Sequence, residues 1–209
     1  YSSLNIKFKP NPNKSEMMSS QNHILSMNSA LLRIASTYTK ICNDLRWMNS
    51  GPISGLAEIS LKPLQPGSSI MPGKINPVIP EAVLMAMTQV SGHHSSTISG
   101  CMSGNFQLNT MLPIIAHNLI DSFNLIINST FALVETINTF KVNKSNIKDN
   151  LEKNPIIATK LNEVIGYDQS AAIVKEAYKT NKSIIEIALE KTELSKSQLL
   201  KILDPKKLI

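Results

Sequence analysis

The sequence predicts an all-α protein, with a long-helix central bundle followed by a small C-terminal α-helical domain. Three observations carry that prediction. Apolar residues recur at spacings of three and four over stretches far longer than an ordinary globular helix. A Gly/Pro-rich polar segment at 50–77 separates those stretches. Beyond Lys141 the segments shorten, lysine becomes frequent, and Ser, Asp and Gly fall where caps belong.

In chain order, residues 1–13 read as irregular, punctuated by Pro10 and Pro12, with Asn11 and Asn13 as turn or cap residues. From Lys14 to Asn49 the pattern predicts one helix, with Ile24, Met27, Leu31, Ile34, Tyr38, Ile41, Leu45 and Met48 on its apolar face. At about 1.5 Å per residue it would exceed roughly 50 Å, a length that belongs to a bundle or a helical oligomer. Asn43, Asp44, Arg46 and Trp47 near its end read as a structural Asp/Arg pair beside a packed Trp. Leu56 to Ser60 read as extended.

A second helix is predicted from Ile79 to Met102, with Pro80 in its first turn, where a missing N–H costs nothing, and Glu81 beside it. Small residues on its other faces, Gly92, Ser95, Ser99 and Gly100 among them, suit close helix approach. Residues 104–109 interrupt. A third helix from Met111 to Phe140 is apolar around much of its surface, which predicts burial, most simply against other subunits. Short helices follow at about 144–153, 156–165, 169–180, 183–191 and 195–203. Asp168, Ser183 and Ser195 are their expected N-caps, and Gly166 and Pro205 their terminators. Residues 1–140 are therefore expected to form the central helical domain and 141–209 the small C-terminal one.

Composition narrows the classes. The chain has 209 residues, 42% of them hydrophobic, and a formal charge of +6. Residues 1–140 carry 8 Lys/Arg and 6 Asp/Glu, and residues 141–209 carry 13 and 9. The tail's lysines are scattered, and Tyr167 and Tyr178 are its only rings, so they read as solvated faces and not as a nucleic-acid surface. A mildly cationic surface suits small anionic substrates. Cys42 and Cys101 lie far apart in helical patterns and suggest neither a disulfide framework nor a metal site. No apolar run reaches the roughly 18 to 20 residues of a membrane span. The start, Tyr1-Ser2-Ser3-Leu4, lacks an initiator Met and an apolar leader core, so a piece of a longer protein is expected.

The chemistry concentrates in Gly67-Ser68-Ser69-Ile70-Met71-Pro72-Gly73-Lys74-Ile75-Asn76-Pro77. Two glycines and two prolines forbid a regular element there, and long helices flank it. Its inventory is two hydroxyls, an ammonium and an amide, a set able to hold a carboxylate and move a proton. By composition alone the stretch reads equally well as an ordinary surface turn.

The same eleven residues resemble the signature of the fumarase/aspartase superfamily, GSSxMPxKxNP, and within it the class II fumarases. Further pieces of the resemblance are Asn43-Asp44-Leu45-Arg46-Trp47, Ser50-Gly51-Pro52, Gly55-Leu56-Ala57-Glu58-Ile59, Ser103-Gly104-Asn105-Phe106-Gln107-Leu108-Asn109, His117-Asn118 and Leu161-Asn162-Glu163-Val164-Ile165-Gly166-Tyr167-Asp168. It runs from about Asn13 to Pro205. Gly73 fits fumarases, where aspartases usually carry Ala. His93-His94 departs from the family, which often shows Asn-Asp there, and reads as surface or interface histidines.

The resemblance implies a fumarase-type helical bundle and reversible hydration of fumarate to (S)-malate through an aci-carboxylate, with no cofactor and no metal. It implies Ser68 as the catalytic serine and Glu81 as the glutamate that pairs with a catalytic histidine. Ser69, Lys74, Ile75 and Asn76 fall at substrate-binding positions. That histidine matches none of His23, His93, His94 or His117, and in the family it lies in the N-terminal half. The implied partners are a small dicarboxylate and three further copies in a homotetramer with shared sites, without nucleic acid or membrane. The implied location is the cytoplasm, or the mitochondrial matrix in a eukaryote. An aspartate ammonia-lyase on the same fold, and a non-catalytic helical remnant, are the alternative readings.

Overall fold

A computed structural model describes residues 9–205. The irregular start expected over 1–13 lies outside the described residues for its first eight positions, as does the reading of Tyr1 to Leu4. The rest is dominated by helices, and the chain divides into two compact units. The first comprises the chain up to Asn49 together with Leu61–Lys141, and the second Ser50–Ser60 with Val142 onward.

The first unit is built on three long helices, α2 (Asn22–Met48), α3 (Val78–Cys101) and α4 (Leu112–Thr139), which pack on one another. Each buries a stripe at spacings of three and four. On α2 the stripe is Asn28, Leu31, Ala35, Cys42 and Leu45. On α3 it is Pro80, Val83, Met87, Val90, His93, Thr97 and Gly100. At Gly100 a Cβ would come within 2.9 Å of the Ile115 side chain, so α3 and α4 meet there with no room for one.

The α4 seam inside the unit is more polar than its apolar surface suggests. Its buried residues are Ile115, Asn118, Ser122, Ile126, Ser129, Leu133 and Thr136, four of them polar. Ile120, Phe131, Val134 and Ile137 point outward, at 61, 71, 51 and 48% exposure. Small hydroxyl residues let helices approach, and Ser122 and Thr136 give their hydrogens to their own helix. Ser122 Oγ donates to the Asn118 carbonyl at 2.6 Å, and Thr136 Oγ1 to the Ala132 carbonyl at 2.8 Å.

The single helix expected from Lys14 to Asn49 is two. A short α1 (Lys14–Ser19) precedes α2, and Ser20 between them is extended. A tertiary partner takes the Ser19 carbonyl that a continuous helix would have used, while the Gln21 carbonyl accepts both the Leu25 N–H of α2, at 2.9 Å, and a tertiary contact. Asn109 Nδ2 donates to Ser19 at 3.5 Å, and the Cys101 thiol to Gln21 at 3.8 Å. The α2 helix alone is roughly 40 Å long. At its end Asp44 pairs with Lys40, Arg46 reaches Asn43 at 3.5 Å, and Trp47 is 70% exposed. The Asp/Arg pair beside a packed Trp is therefore not formed. Charges four apart on a helix face one another, and charges two apart do not.

The second unit begins with Ser50–Ser60, whose strand β1 (Ile59–Ser60) pairs with β2 (Lys141–Val142). Asn143 fastens it, donating its N–H to Glu58 and its Nδ2 to Ala57, both at 2.8 Å. A division drawn at residue 140 from sequence did not anticipate that this stretch leaves the first unit. Helices α5 (Lys144–Lys153), α6 (Asn162–Ile165), α7 (Tyr167–Thr180), α8 (Ile184–Lys191) and α9 (Lys196–Ile202) follow, with a 3-10 turn at Pro155–Leu161. Leu161, Ile173, Ile184, Ile187 and Leu199 form its core. Ser183 and Ser195 each head a full capping box. Asp168 does not cap: Gly166, at φ 81, is the N-cap of α7, and Asp168 sits in its first turn.

Candidate active site

The stretch from Gly67 to Pro77 forms a closed loop that delivers the chain into α3. Its neck is tied across. The Gly67 N–H donates to the Lys74 carbonyl at 2.7 Å, and the Asn76 amide donates to the Gly67 carbonyl at 3.0 Å. Inside the loop, Ser68 Oγ accepts the N–H groups of Ile70 and Met71, both at 3.1 Å. A hydroxyl followed by a turn bonds locally in this way because its short side chain reaches the amides two and three residues on. The loop then passes directly into the helix, with Glu81 N–H bonded to the Pro77 carbonyl at 3.1 Å.

Of the residues singled out from sequence, Ser68 and Asn76 are half-buried, and Ser69, Lys74 and Ile75 are exposed. Ser68, Lys74 and Asn76 are gathered into one loop through the backbone of Gly67. Glu81 is half-buried in the first turn of α3. Among the described residues neither Lys74 nor the Glu81 carboxylate has a charged partner. An open depression lined by Pro63, Gln65, Ser68, Met71, Lys74 and Ile75 adjoins the loop.

The chemistry of this arrangement is directional. Two N–H dipoles converge on Ser68 Oγ, and donors aimed at an oxygen stabilise negative charge on it. One cation stands beside that oxygen's loop with no carboxylate to neutralise it, as an anion-binding position needs. The sequence singled out Ser68 but not the Ile70 and Met71 amides that meet its Oγ. The signal available was a Ser two and three residues ahead of free N–H groups in a Gly/Pro loop.

Of the two alternatives read for His93-His94, surface or interface, the surface one fails for His93. His93 is buried at 8% exposure, not a surface residue. Its Nδ1 contacts Ser122 Oγ at 3.2 Å and its Nε2 contacts Gln89 Nε2 at 2.9 Å. The Ser122 hydrogen is already given to Asn118, which leaves its Oγ to accept from His93 Nδ1. Asp121 lies 3.6 Å from His93 Nε2. His94 Nδ1 meets Asn28 Oδ1 at 2.9 Å, and Asn28 reaches Thr97 at 3.4 Å. These groups form a polar layer across three helices, away from the loop. Among the described residues no group of three His, Cys, Asp or Glu side chains could hold a metal ion. No described helix is long and apolar enough to cross a membrane.

Two family models match the chain: the lyase family over residues 2–92, and the fumarase C C-terminus over residues 157–209. The class II fumarate hydratase of Xylella fastidiosa is 46% identical over 201 residues, covering 96% of this chain and 42% of that protein. The class II fumarate hydratase of Mycobacterium tuberculosis is 42% identical over 180 residues, 86% of this chain and 38% of that protein. Among solved structures, a fumarate lyase:delta crystallin from Brucella melitensis bound to cobalt superposes with a TM-score of 0.88 at 37% identity, covering 97% of this chain and 44% of that one. The class II fumarase of Schistosoma mansoni follows with a TM-score of 0.86 at 32% identity, covering 96% of this chain and 42% of that one. The chain thus spans about two fifths of the length of the curated relatives it matches.

Proposed function

We propose, for a chain that belongs to the class II fumarases of the fumarase/aspartase superfamily, that it supplies the serine-loop part of a site for the reversible hydration of fumarate to (S)-malate. The observation that carries the reading is the pair of amides on Ser68 Oγ, within a loop that also holds Lys74 and Asn76.

In the dehydration direction, a proton leaves the carbon beside a carboxylate and passes to Ser68 Oγ. The electron pair moves into that carboxylate, which becomes an aci-carboxylate with two negative charges. Hydroxide then leaves the neighbouring carbon and the double bond forms. Serine is a weak base unless its oxyanion is stabilised, and the Ile70 and Met71 N–H groups provide that. Lys74 is the cation for the developing charge. Ser69, Ile75 and Asn76 hold and orient the dicarboxylate. Glu81 orients a histidine that assists the hydroxyl; by the family pattern that histidine comes from outside these 209 residues, in the length the relatives have and this chain does not match. The outward apolar face of α4 supports assembly as a homotetramer with shared sites. A cytoplasmic location, or the mitochondrial matrix in a eukaryote, accords with such an enzyme.

The test is an assay for loss of fumarate's ultraviolet absorbance. The 209 residues expressed together with the N-terminal portion its relatives carry should hydrate fumarate, and the 209 residues alone should not. A folded, assembled protein of that full length that leaves fumarate untouched, or that releases ammonia from aspartate instead, overturns the assignment.

A further inference from the structure

We propose that Asn76 is a positioning residue for Ser68, acting through Gly67 as the clasp that closes the neck of the serine loop; the role in catalysis rests on the hydratase reading above. Both polar groups of Gly67 are tied to the far end of the loop. Its carbonyl receives the Asn76 Nδ2 at 3.0 Å, and its N–H donates to the Lys74 carbonyl at 2.7 Å. Gly67 immediately precedes Ser68, so these two bonds hold the peptide frame from which the Ser68 side chain projects. The amides of Ile70 and Met71 then meet Ser68 Oγ from within the loop. The loop is closed at the neck by Asn76 and tightened inside by Ser68.

Both ends of the clasp demand their residue type. At 67 a Cβ would lie 2.6 Å from the Lys74 carbonyl oxygen and 2.8 Å from its carbon, both backbone atoms that no rotamer change can move. At 76 the side chain must donate to a carbonyl. Aspartate has the size of asparagine but would set a carboxylate oxygen against the Gly67 carbonyl. One hydrogen of Asn76 Nδ2 serves the clasp. The other, with Oδ1, is left to a substrate, so a ligand bound there pulls on the group that holds Ser68 in place.

The experiment uses the hydratase-competent protein with Asn76→Ala, Asn76→Asp, Gly67→Ala and the Asn76→Ala/Gly67→Ala pair. A displaced Ser68 predicts kcat down by about ten- to hundredfold in each single variant; KM rises as well in the two Asn76 variants, which also lose a substrate contact, and moves far less in Gly67→Ala. The double variant should be no slower than the poorer single, because both changes open one neck. Hydrogen exchange at the Ile70 and Met71 amides should quicken in every variant. A rise in KM alone for Asn76→Ala, multiplied losses in the double variant, or unchanged exchange overturns the clasp. Should Gly67→Ala fail to fold by circular dichroism, the two Asn76 variants carry the same kcat and exchange readings. If the unsubstituted protein lacks hydratase activity, the reaction assignment falls by itself. The clasp is then judged by exchange, where unchanged protection in Asn76→Ala overturns it.

Discussion

Ser68 and Cys42 show how differently two nucleophilic atoms are treated in one chain. Ser68 Oγ faces two N–H donors, which favour its charged form. On the proposed hydratase reading, Ser68→Ala should therefore lower kcat of the full-length protein by about 10²- to 10⁴-fold, the usual scale of a lost proton-transfer group. Unchanged far-ultraviolet circular dichroism would show that the loss is chemical. Cys42 is fully enclosed, and burial pushes its thiol up to about 11, with Arg46 pulling weakly the other way. At neutral pH it stays a thiol and should resist alkylation until the protein unfolds. The folded value lies above the ordinary 9.0, so the associated stability is intact below pH 9.0 and is lost as pH rises towards about 11. Urea midpoints of Cys42→Ala, compared with the parent across that window, should fall less steeply. Equal slopes would mean that another group titrates there.

Elements are specified most firmly where local chemistry suffices. Ser183 and Ser195 are followed three residues on by Glu186 and Gln198, and both pairs close as reciprocal capping boxes. That outcome was legible because a cap needs only neighbours in sequence. Ser183→Ala should cost the second unit about 1 kcal/mol in denaturant melts. The Ser183 backbone bond, followed by its side-chain bond, holds the Glu186 carboxyl below its usual range. A depressed acid contributes stability above its unfolded value and loses it as pH falls. The parent's advantage over Ser183→Ala should thus be present at neutral pH and shrink through the carboxylate range. Where tertiary partners compete, local reading fails. Ser20 breaks a helix that periodicity carries straight through, and the Ser19 carbonyl before it is met by Asn109 from ninety residues away. Asp168, a good cap by residue type, yields that place to Gly166, whose φ of 81 sets the turn.

At the scale of the whole molecule, the inner seam of α4 is Asn, Ser and Thr interleaved with aliphatics, while Ile120, Phe131, Val134 and Ile137 face out. An exposed stripe of large apolar residues on a long helix needs a partner surface. On the proposed assembly through this face, Phe131→Glu, at a position 71% exposed here, should shift the sedimentation profile of the full-length protein towards smaller species while the second unit stays folded. An unchanged oligomer would place the interface elsewhere on the chain. The second unit keeps its own core around Leu161, Ile173 and Ile187, and it draws in Ser50–Ser60 from across the sequence.

The sequence by itself determined the helical class, the three long helices of the bundle, the capping boxes and the membership of Ser68, Ser69, Lys74, Ile75 and Asn76 in one loop. All of these depend on periodicity or on residues near in sequence. Only the tertiary structure decided which face of α4 turns inward, that His93 is buried, and that Ser50–Ser60 joins the second unit, because each depends on a partner tens of residues away. The loop divides along the same line. Its residue types were evident, but the tie from Asn76 to Gly67, nine positions apart, exists only once the chain has turned back on itself.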